Sequence, residues 1–330
     1  MRTVYDFLAR EIQTLLNVGL LDAMQAGPVR IETFAEQNGL DARLLKGICE
    51  ALHSRRILRR SDAGWSLDEK GRFLVDTNIA RGWFDLAYGY ENVLYNMEGL
   101  LRKQIVYGKD LVRDGRFVAV GSGLASLDFY FPLVCNLIQR AGYRKVLDIG
   151  CGDGTFLRYM CKRLPNVQGV GLDLSPAAVA AGNESLAREN LSGRIRLHAG
   201  DAMEIEKVKD KLEGVDAATT FFVLHELCDN NGNARVLKFL NAFRQALPKV
   251  PFHIIEAVRP SADEMRERPG PAVEYFLFHD LSGQMPIGRE DWKHLYRKSG
   301  FERIDEDYIG FARTSIYTLH ASNGASPRKP

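Results

Sequence analysis

Much is missing from this chain, and each gap removes a class of protein. Its five cysteines, Cys49, Cys135, Cys151, Cys161 and Cys228, are odd in number, scattered and free of any CxxC pair. Neither a disulfide framework nor a thiolate zinc site is indicated. No long uncharged apolar run occurs, and acids and bases alternate from the first turns onward. A signal peptide and a membrane span are therefore not expected, and the cytoplasm is the default location. The net charge is only +2, which gives no general electrostatic case for nucleic acid. Internal repeats are absent. What remains is ordinary: 330 residues, 45% hydrophobic and 26% charged, enough for two domains or one large one with ample core.

The chain is organised around residues 145–154, KVLDIGCGDG. A short apolar strand ends near Asp148, glycines follow at alternate positions (Gly150, Gly152, Gly154), and a helix begins near Thr155. Alternate glycines after a strand let the backbone turn sharply and approach a ligand closely, because no Cβ intervenes. A dinucleotide fingerprint wants glycine or alanine three residues after the second glycine. Thr155 stands there, so NAD fits poorly. An acid two residues before the first glycine suits a ligand carrying positive charge, and S-adenosylmethionine, with its sulfonium and ammonium groups, is one. The stretch resembles the first motif of class I S-adenosylmethionine-dependent methyltransferases.

Strand and helix patterns alternate from there on, which predicts an α/β domain with a mostly parallel sheet covered on both faces. Strands are expected at residues 167–174, 195–199, 215–223, 252–257, 301–308 and 315–320, and helices from Ser175-Pro176 and over 233–247 and 290–299. Polar, proline-bounded residues 259–270 read as a mobile loop, and the tail beyond residue 321 as disordered. Upstream, residues 4–24 read as one amphipathic helix with more apolar surface than a single stripe needs. Residues 31–74 have winged helix-turn-helix order: a helix capped by Thr33, the turn Asn38-Gly39, a helix over 42–54 capped by Asp41, then a hairpin from 57–60 and 65–67. The basic run Arg55, Arg56, Arg59 and Arg60 reads as a solvated edge rather than a DNA contact. Residues 80–142 read as helical and aromatic-rich, with a helix over 126–141.

Ligands of an open α/β sheet sit beyond the carboxyl ends of its strands. Asp148, Asp173 and Asp201 stand at three such ends. The methyltransferase resemblance implies that Asp148, Gly150, Gly152, Asp173, Leu174, Asp201 and Ala202 bind the cofactor, with Asp173 on the ribose hydroxyls and Asp201 near the adenine. The fourth strand leads into FFVLHELCDN. This resembles the His-acid pair of small-molecule O-methyltransferases, in which histidine is the general base, so His225 and Glu226 are candidate catalytic residues. Leu227 stands where many of those enzymes have tryptophan. YFLFHDLSGQ adds a second pair, His279 and Asp280, where they carry apolar residues. Two histidines with nearby carboxylates make a plausible shell for zinc or iron, and resemble the metal-containing 2-oxo acid C-methyltransferases that act on phenylpyruvate or 2-ketoarginine.

The resemblance implies a winged-helix-like dimerisation and lid domain over 1–120, a Rossmann-like methyltransferase domain over 121–322, and a tail over 323–330. It implies a homodimer that binds S-adenosylmethionine and a divalent or trivalent metal through His225 and His279. The activity implied is methylation of a 2-oxo acid at the carbon beside the ketone, through a metal-chelated enolate, with His279 catalytic. Lys109, Arg113 and Arg116 are candidates to hold the substrate carboxylate. Two alternatives stay open: a metal-independent O-methyltransferase of a phenolic or hydroxylated metabolite with His225 as base, and a DNA-binding regulator with a methyltransferase-like ligand domain. The remaining histidines, His53, His198, His253, His294 and His320, read as structural or exposed.

Overall fold

A computed structural model describes residues 2–228, 233–268 and 272–320. The expected tail and the end of the expected 259–270 loop lie outside the described residues. Two compact units interleave along the chain, one of Met1–Glu91 with Arg113–Phe129, the other of Asn92–Val112 with Tyr130–Pro330.

In the first unit, α1 (Arg2–Asn17) and α2 (Leu20–Ala26) replace the single helix expected over 4–24. Gly19 breaks it, with φ of 77°; the left-handed region that glycine enters freely ends a helix. The helix–turn–helix–hairpin order is present as α3 (Ile31–Asn38), α4 (Ala42–Ser54), and the antiparallel strands β1 (Leu58–Ser61) and β2 (Gly64–Leu67). Asp41 caps α4 by accepting from the Leu44 amide at 2.9 Å. Thr33 caps nothing: α3 begins two residues earlier, with Arg30 at its N-cap. Arg55 pairs with Glu11 at 2.8 Å, so part of the basic edge is spent inside the unit. These elements close around Leu15, Leu20, Ile31, Cys49, Leu52 and Leu67, all buried. Next come α5 (Glu69–Asp76) and α6 (Asn78–Gly89). The short helices α7 (Glu91–Tyr95) and α8 (Met97–Leu101) fall almost wholly in the second unit, and the first resumes with α9 (Gly115–Leu127). Gly121 lies inside α9, where a Cβ would fall 2.6 Å from the Gly82 carbonyl oxygen of α6; the bare glycines let these helices touch backbone to backbone.

The second unit continues with α10 (Tyr130–Ala141), so the helix expected over 126–141 is divided at 128–129. Its sheet contains β3 (Lys145–Ile149), β4 (Gln168–Asp173), β5 (Ile195–Ala199), β6 (Ala217–Phe221), β7 (Phe252–Ala257), β8 (Ile304–Ile309) and β9 (Thr314–Leu319). The spatial order is β5-β4-β3-β6-β7-β9-β8. All pairs are parallel except those of β9, which runs antiparallel between β7 and β8. The connecting helices are α11 (Thr155–Arg163), α12 (Pro176–Arg188) and α13 (Ala234–Ala246). Then follow α14 (Ala262–Glu267), α15 (Ala272–Leu281) and α16 (Arg289–Lys298). The loop expected over 259–270 contains α14, held by a capping box between Ser261 and Glu264, a signature readable in the sequence as S-x-x-E. Among the described residues no single helix is long and apolar enough to cross a membrane.

One core residue carries a pH dependence. His253 on β7 is 1% exposed, bonded through Nδ1 to Thr318 Oγ1 at 3.0 Å. Among the described residues its buried Nε2 has no hydrogen-bond partner. Burial first, and His320 second, push its pKa from 6.5 down to about 4. The folded protein therefore keeps this ring neutral where the unfolded chain protonates it. Stability is full above about pH 6.5 and is lost as pH falls towards 4, by of order 3 kcal/mol. Denaturation followed from pH 7 to 4 is expected to show this loss, and His253→Gln to flatten it; an unchanged acid limb in the variant would assign the loss elsewhere.

Candidate active site

β3 and β6 are neighbours at the centre of the sheet, and the chain leaves β3 towards β4 on one side and β6 towards β7 on the other. This is the topological switch point, where a crevice opens beyond the carboxyl ends. Gly150, Gly152 and Gly154 turn the chain there with φ of 74°, 55° and 75°. Each left-handed position would cost an L-residue about 1–2 kcal/mol. Asp173, at the end of β4, clamps the turn: one carboxylate oxygen accepts from the Gly152 amide and the other from the Ser175 amide, both at 2.8 Å. Asp201 is exposed and caps the following 3₁₀ turn by accepting from the Met203 amide at 2.8 Å. Leu174, beside Asp173, is 73% exposed, unusual for leucine, and Ala202 is half-buried.

Asp148 is 3% exposed and accepts from Thr219 Oγ1 at 2.8 Å. Burial drives its pKa up to about 8, against the Thr219 hydrogen bond and with help from Asp173.

The turn after β6 holds the first histidine. Phe222 takes a φ of 56°, strained for a bulky residue. Its amide is bonded to the Ile255 carbonyl at 2.8 Å. A tight turn, Leu224–Leu227, follows. Glu256 on β7, wholly buried, holds this turn. One of its oxygens accepts from the Leu224 amide at 2.6 Å, and the other meets His225 Nδ1 at 2.7 Å. The proton on Nδ1 that this bond favours leaves the lone pair of a neutral His225 on Nε2. Glu256 escaped sequence reasoning, although a lone acid inside the apolar strand FHIIEA was a visible anomaly.

The second histidine is on α15. His279 is 3% exposed, its Nδ1 bonded to the Tyr275 carbonyl at 2.6 Å, which again puts the ring proton on Nδ1. The two imidazoles meet edge to face with centroids 4.7 Å apart. His225 and His279 are thus brought together as expected. The acids next to them in sequence are not their partners in the same way. Asp280 is ion-paired with Arg259. Glu226 is exposed, and its amide bonds the Val223 carbonyl. Among the described residues no three His, Cys, Asp or Glu side chains converge to hold a metal. Of the basic candidates, Arg113 donates to Tyr90 Oη at 2.7 Å within the first unit.

The glycine turn and the His225 turn are in contact: a Cβ at Gly150 would fall 2.5 Å from Val223 Cγ2. Residues 146–247 match the family described as "Methyltransferase domain". The chain is 27% identical over 303 residues to a 2-ketoarginine methyltransferase of Streptomyces arginensis, covering 89% of this chain and 85% of that one. It is 28% identical over 318 residues to an indolepyruvate C-methyltransferase of Streptomyces griseus, covering 94% and 91%. The fold is that of a solved mitomycin 7-O-methyltransferase, with a TM-score of 0.69 over 97% of both chains at 19% identity. The chain is an S-adenosylmethionine-dependent methyltransferase.

Two measurements probe the methyltransferase's crevice. Gly150→Ala adds a clash with Val223 to the backbone cost and is expected to destabilise by about 2–4 kcal/mol. Gly152→Ala, whose Cβ meets nothing within 4 Å, should cost only the backbone's about 1–2 kcal/mol; equal losses in denaturant titrations would contradict the contact. Asp148 has its folded pKa raised above 3.8, so the cofactor-free protein retains a proton that the unfolded chain has lost. Its stability therefore falls as pH rises from about 4 to about 8. Above pH 6.5 the His253 effect is exhausted, and melting between pH 6.5 and 8.5 should decline in wild type and stay level in Asp148→Asn.

Proposed function

We propose that this methyltransferase transfers the methyl group of S-adenosylmethionine to the carbon beside the ketone of a 2-oxo acid, assisted by a metal held at His225 and His279. The observation that carries it is the pair of buried imidazoles, 4.7 Å apart, each with Nδ1 bonded to an acceptor. Metal-binding histidines are commonly oriented in this manner, by a carboxylate or a backbone carbonyl on the far nitrogen. Glu256 and the Tyr275 carbonyl fill those places, so the residues present fit zinc or iron. The likeness to proteins named for 2-ketoarginine and indolepyruvate supports the acceptor class.

The cofactor cradle in this proposal is Asp148, Gly150, Gly152, Asp173, Leu174, Asp201 and Ala202. Gly152 opens onto space into which the cofactor backbone can come close. Asp173 spends one lone pair of each oxygen on the loop and keeps capacity for ribose hydroxyls. Leu174 offers an exposed apolar face for the adenine. In the reaction a C–H proton leaves, the carbon attacks the sulfonium methyl, a C–C bond forms as the S–C bond breaks, and S-adenosylhomocysteine departs. A bound metal would supply Lewis-acid stabilisation of charge on the ketone oxygen, worth several kcal/mol. Glu256 and the Tyr275 carbonyl fix the orientation of the two imidazoles, and Glu226, next to His225 in the chain, is the acid that would take the proton. Homodimerisation through the first unit belongs to the same proposal, supported by the large exposed side chains of Phe7, Leu44 and Phe73.

O-methylation of a small hydroxylated metabolite is favoured by one observation. The His225–Glu256 pair resembles a complete general base, with Nε2 as proton acceptor and the carboxylate stabilising the resulting imidazolium. His279→Ala separates the two functions. The metal-assisted enzyme should lose metal and turnover of 2-oxo acids in this variant while S-adenosylmethionine affinity, read by calorimetry, stays within about twofold of wild type. Full activity of chelator-treated protein towards a phenolic panel, retained in His279→Ala, would reject the metal and establish O-methylation.

A further inference from the structure

Two imidazoles alone hold a metal poorly against water, and among the described residues no third His, Cys, Asp or Glu side chain joins them. Tyr275 does approach them. It lies one helical turn before His279 on α15, at the i, i+4 spacing that puts two side chains on one helix face. Its ring centroid is 4.1 Å from that of His279 and 6.1 Å from that of His225. With the histidine rings 4.7 Å from each other, three donor-bearing rings close a triangle.

The Tyr275 hydroxyl oxygen stands 3.5 Å from His225 Nε2. A good hydrogen bond between a hydroxyl and a ring nitrogen spans about 2.7–3.2 Å, so this contact is too long to be a strong one. Two ligand atoms held at about 2.1 Å from one ion, at the tetrahedral angle, lie about 3.4 Å apart. The gap matches an ion lying between the two atoms better than a shared proton. The orientation of the group is already provided: Tyr275 fixes His279 through its own carbonyl, at 2.6 Å from Nδ1, and Glu256 fixes His225.

We propose, resting on the metal-assisted function above, that Tyr275 supplies the third protein ligand through its phenolic oxygen. As the oxygen–metal bond forms, the O–H bond breaks and its proton passes to solvent, with no change in oxidation state. Three protein ligands leave positions for the two oxygens of a 2-oxo acid. An anionic oxygen beside two neutral imidazoles favours a trivalent ion.

The full-length protein, stripped with chelator and titrated with ferric iron delivered as a weak chelate, tests this directly. Wild type is expected to bind about one iron per chain, as befits one such triangle, and to develop a phenolate-to-iron charge-transfer band in the visible. Tyr275→Phe should lack the band and bind iron at least about tenfold more weakly, since even loss of an outer partner costs 10–100-fold. Unchanged S-adenosylmethionine affinity shows that the variant is folded. If wild type binds iron without the band, or Tyr275→Phe binds it as tightly as wild type, Tyr275 is not a ligand although the metal function stands. Glu226→Gln losing iron in its place would then identify the carboxylate. Failure of wild type to bind iron overturns this proposal together with the metal function beneath it.

Discussion

Everything near the chemistry depends on one wholly buried carboxylate. Glu256 is surrounded by apolar strand residues, and burying it is tolerable only because its oxygens are occupied, by the Leu224 amide on one side and His225 Nδ1 on the other. Removing either partner would leave charge stranded in a low-dielectric interior. The carboxylate therefore ties β7 to the turn after β6, gives that turn a reason to close tightly, and selects the tautomer of His225. The strained Phe222 just before the turn is held in place by the same strand, through the Ile255 carbonyl.

The central architecture was legible because its physics is local. The β3 turn carries three glycines that left-handed backbone demands, and the strands expected over 195–199 and 252–257 coincide with β5 and β7. Asp41 and Ser175 were readable as caps, and both accept from the amide three residues on. His225 and His279, 54 positions apart, could be paired only because both stretches were matched to a known arrangement; nothing in local spacing joins them.

What escaped was long-range or depended on a single residue. The apolar periodicity over residues 4–24 read as one helix, whereas the positive φ of Gly19 separates α1 from α2. Ser261 and Glu264 make a cap that was overlooked because the surrounding charges and prolines looked like a loop. Glu256, to which the sequence assigned no role, holds His225, and Asp280, next to His279, pairs with Arg259 instead. The acid adjacent to a histidine in sequence turned outward to Arg259, and the acid that engages a histidine came from a strand 31 residues away. Sequence proximity measures contour length, while the sheet decides which carboxyl end faces which.

The insertion of β9 between β7 and β8 has a consequence for how the protein is made. Among the described residues β9 is the last strand, yet it is the sole partner of β8 and covers the outer edge of β7, the strand that carries Glu256. A nascent chain on the ribosome thus holds a finished parallel half and an unzipped edge until Thr314–Leu319 has emerged. Until then the amide and carbonyl groups along that edge of β7 lack their final partners, which is the hazard of any open edge, and the pairing that relieves it is antiparallel, from the neighbouring β8–β9 pair. The sheet is closed by a strand that emerges after the six others.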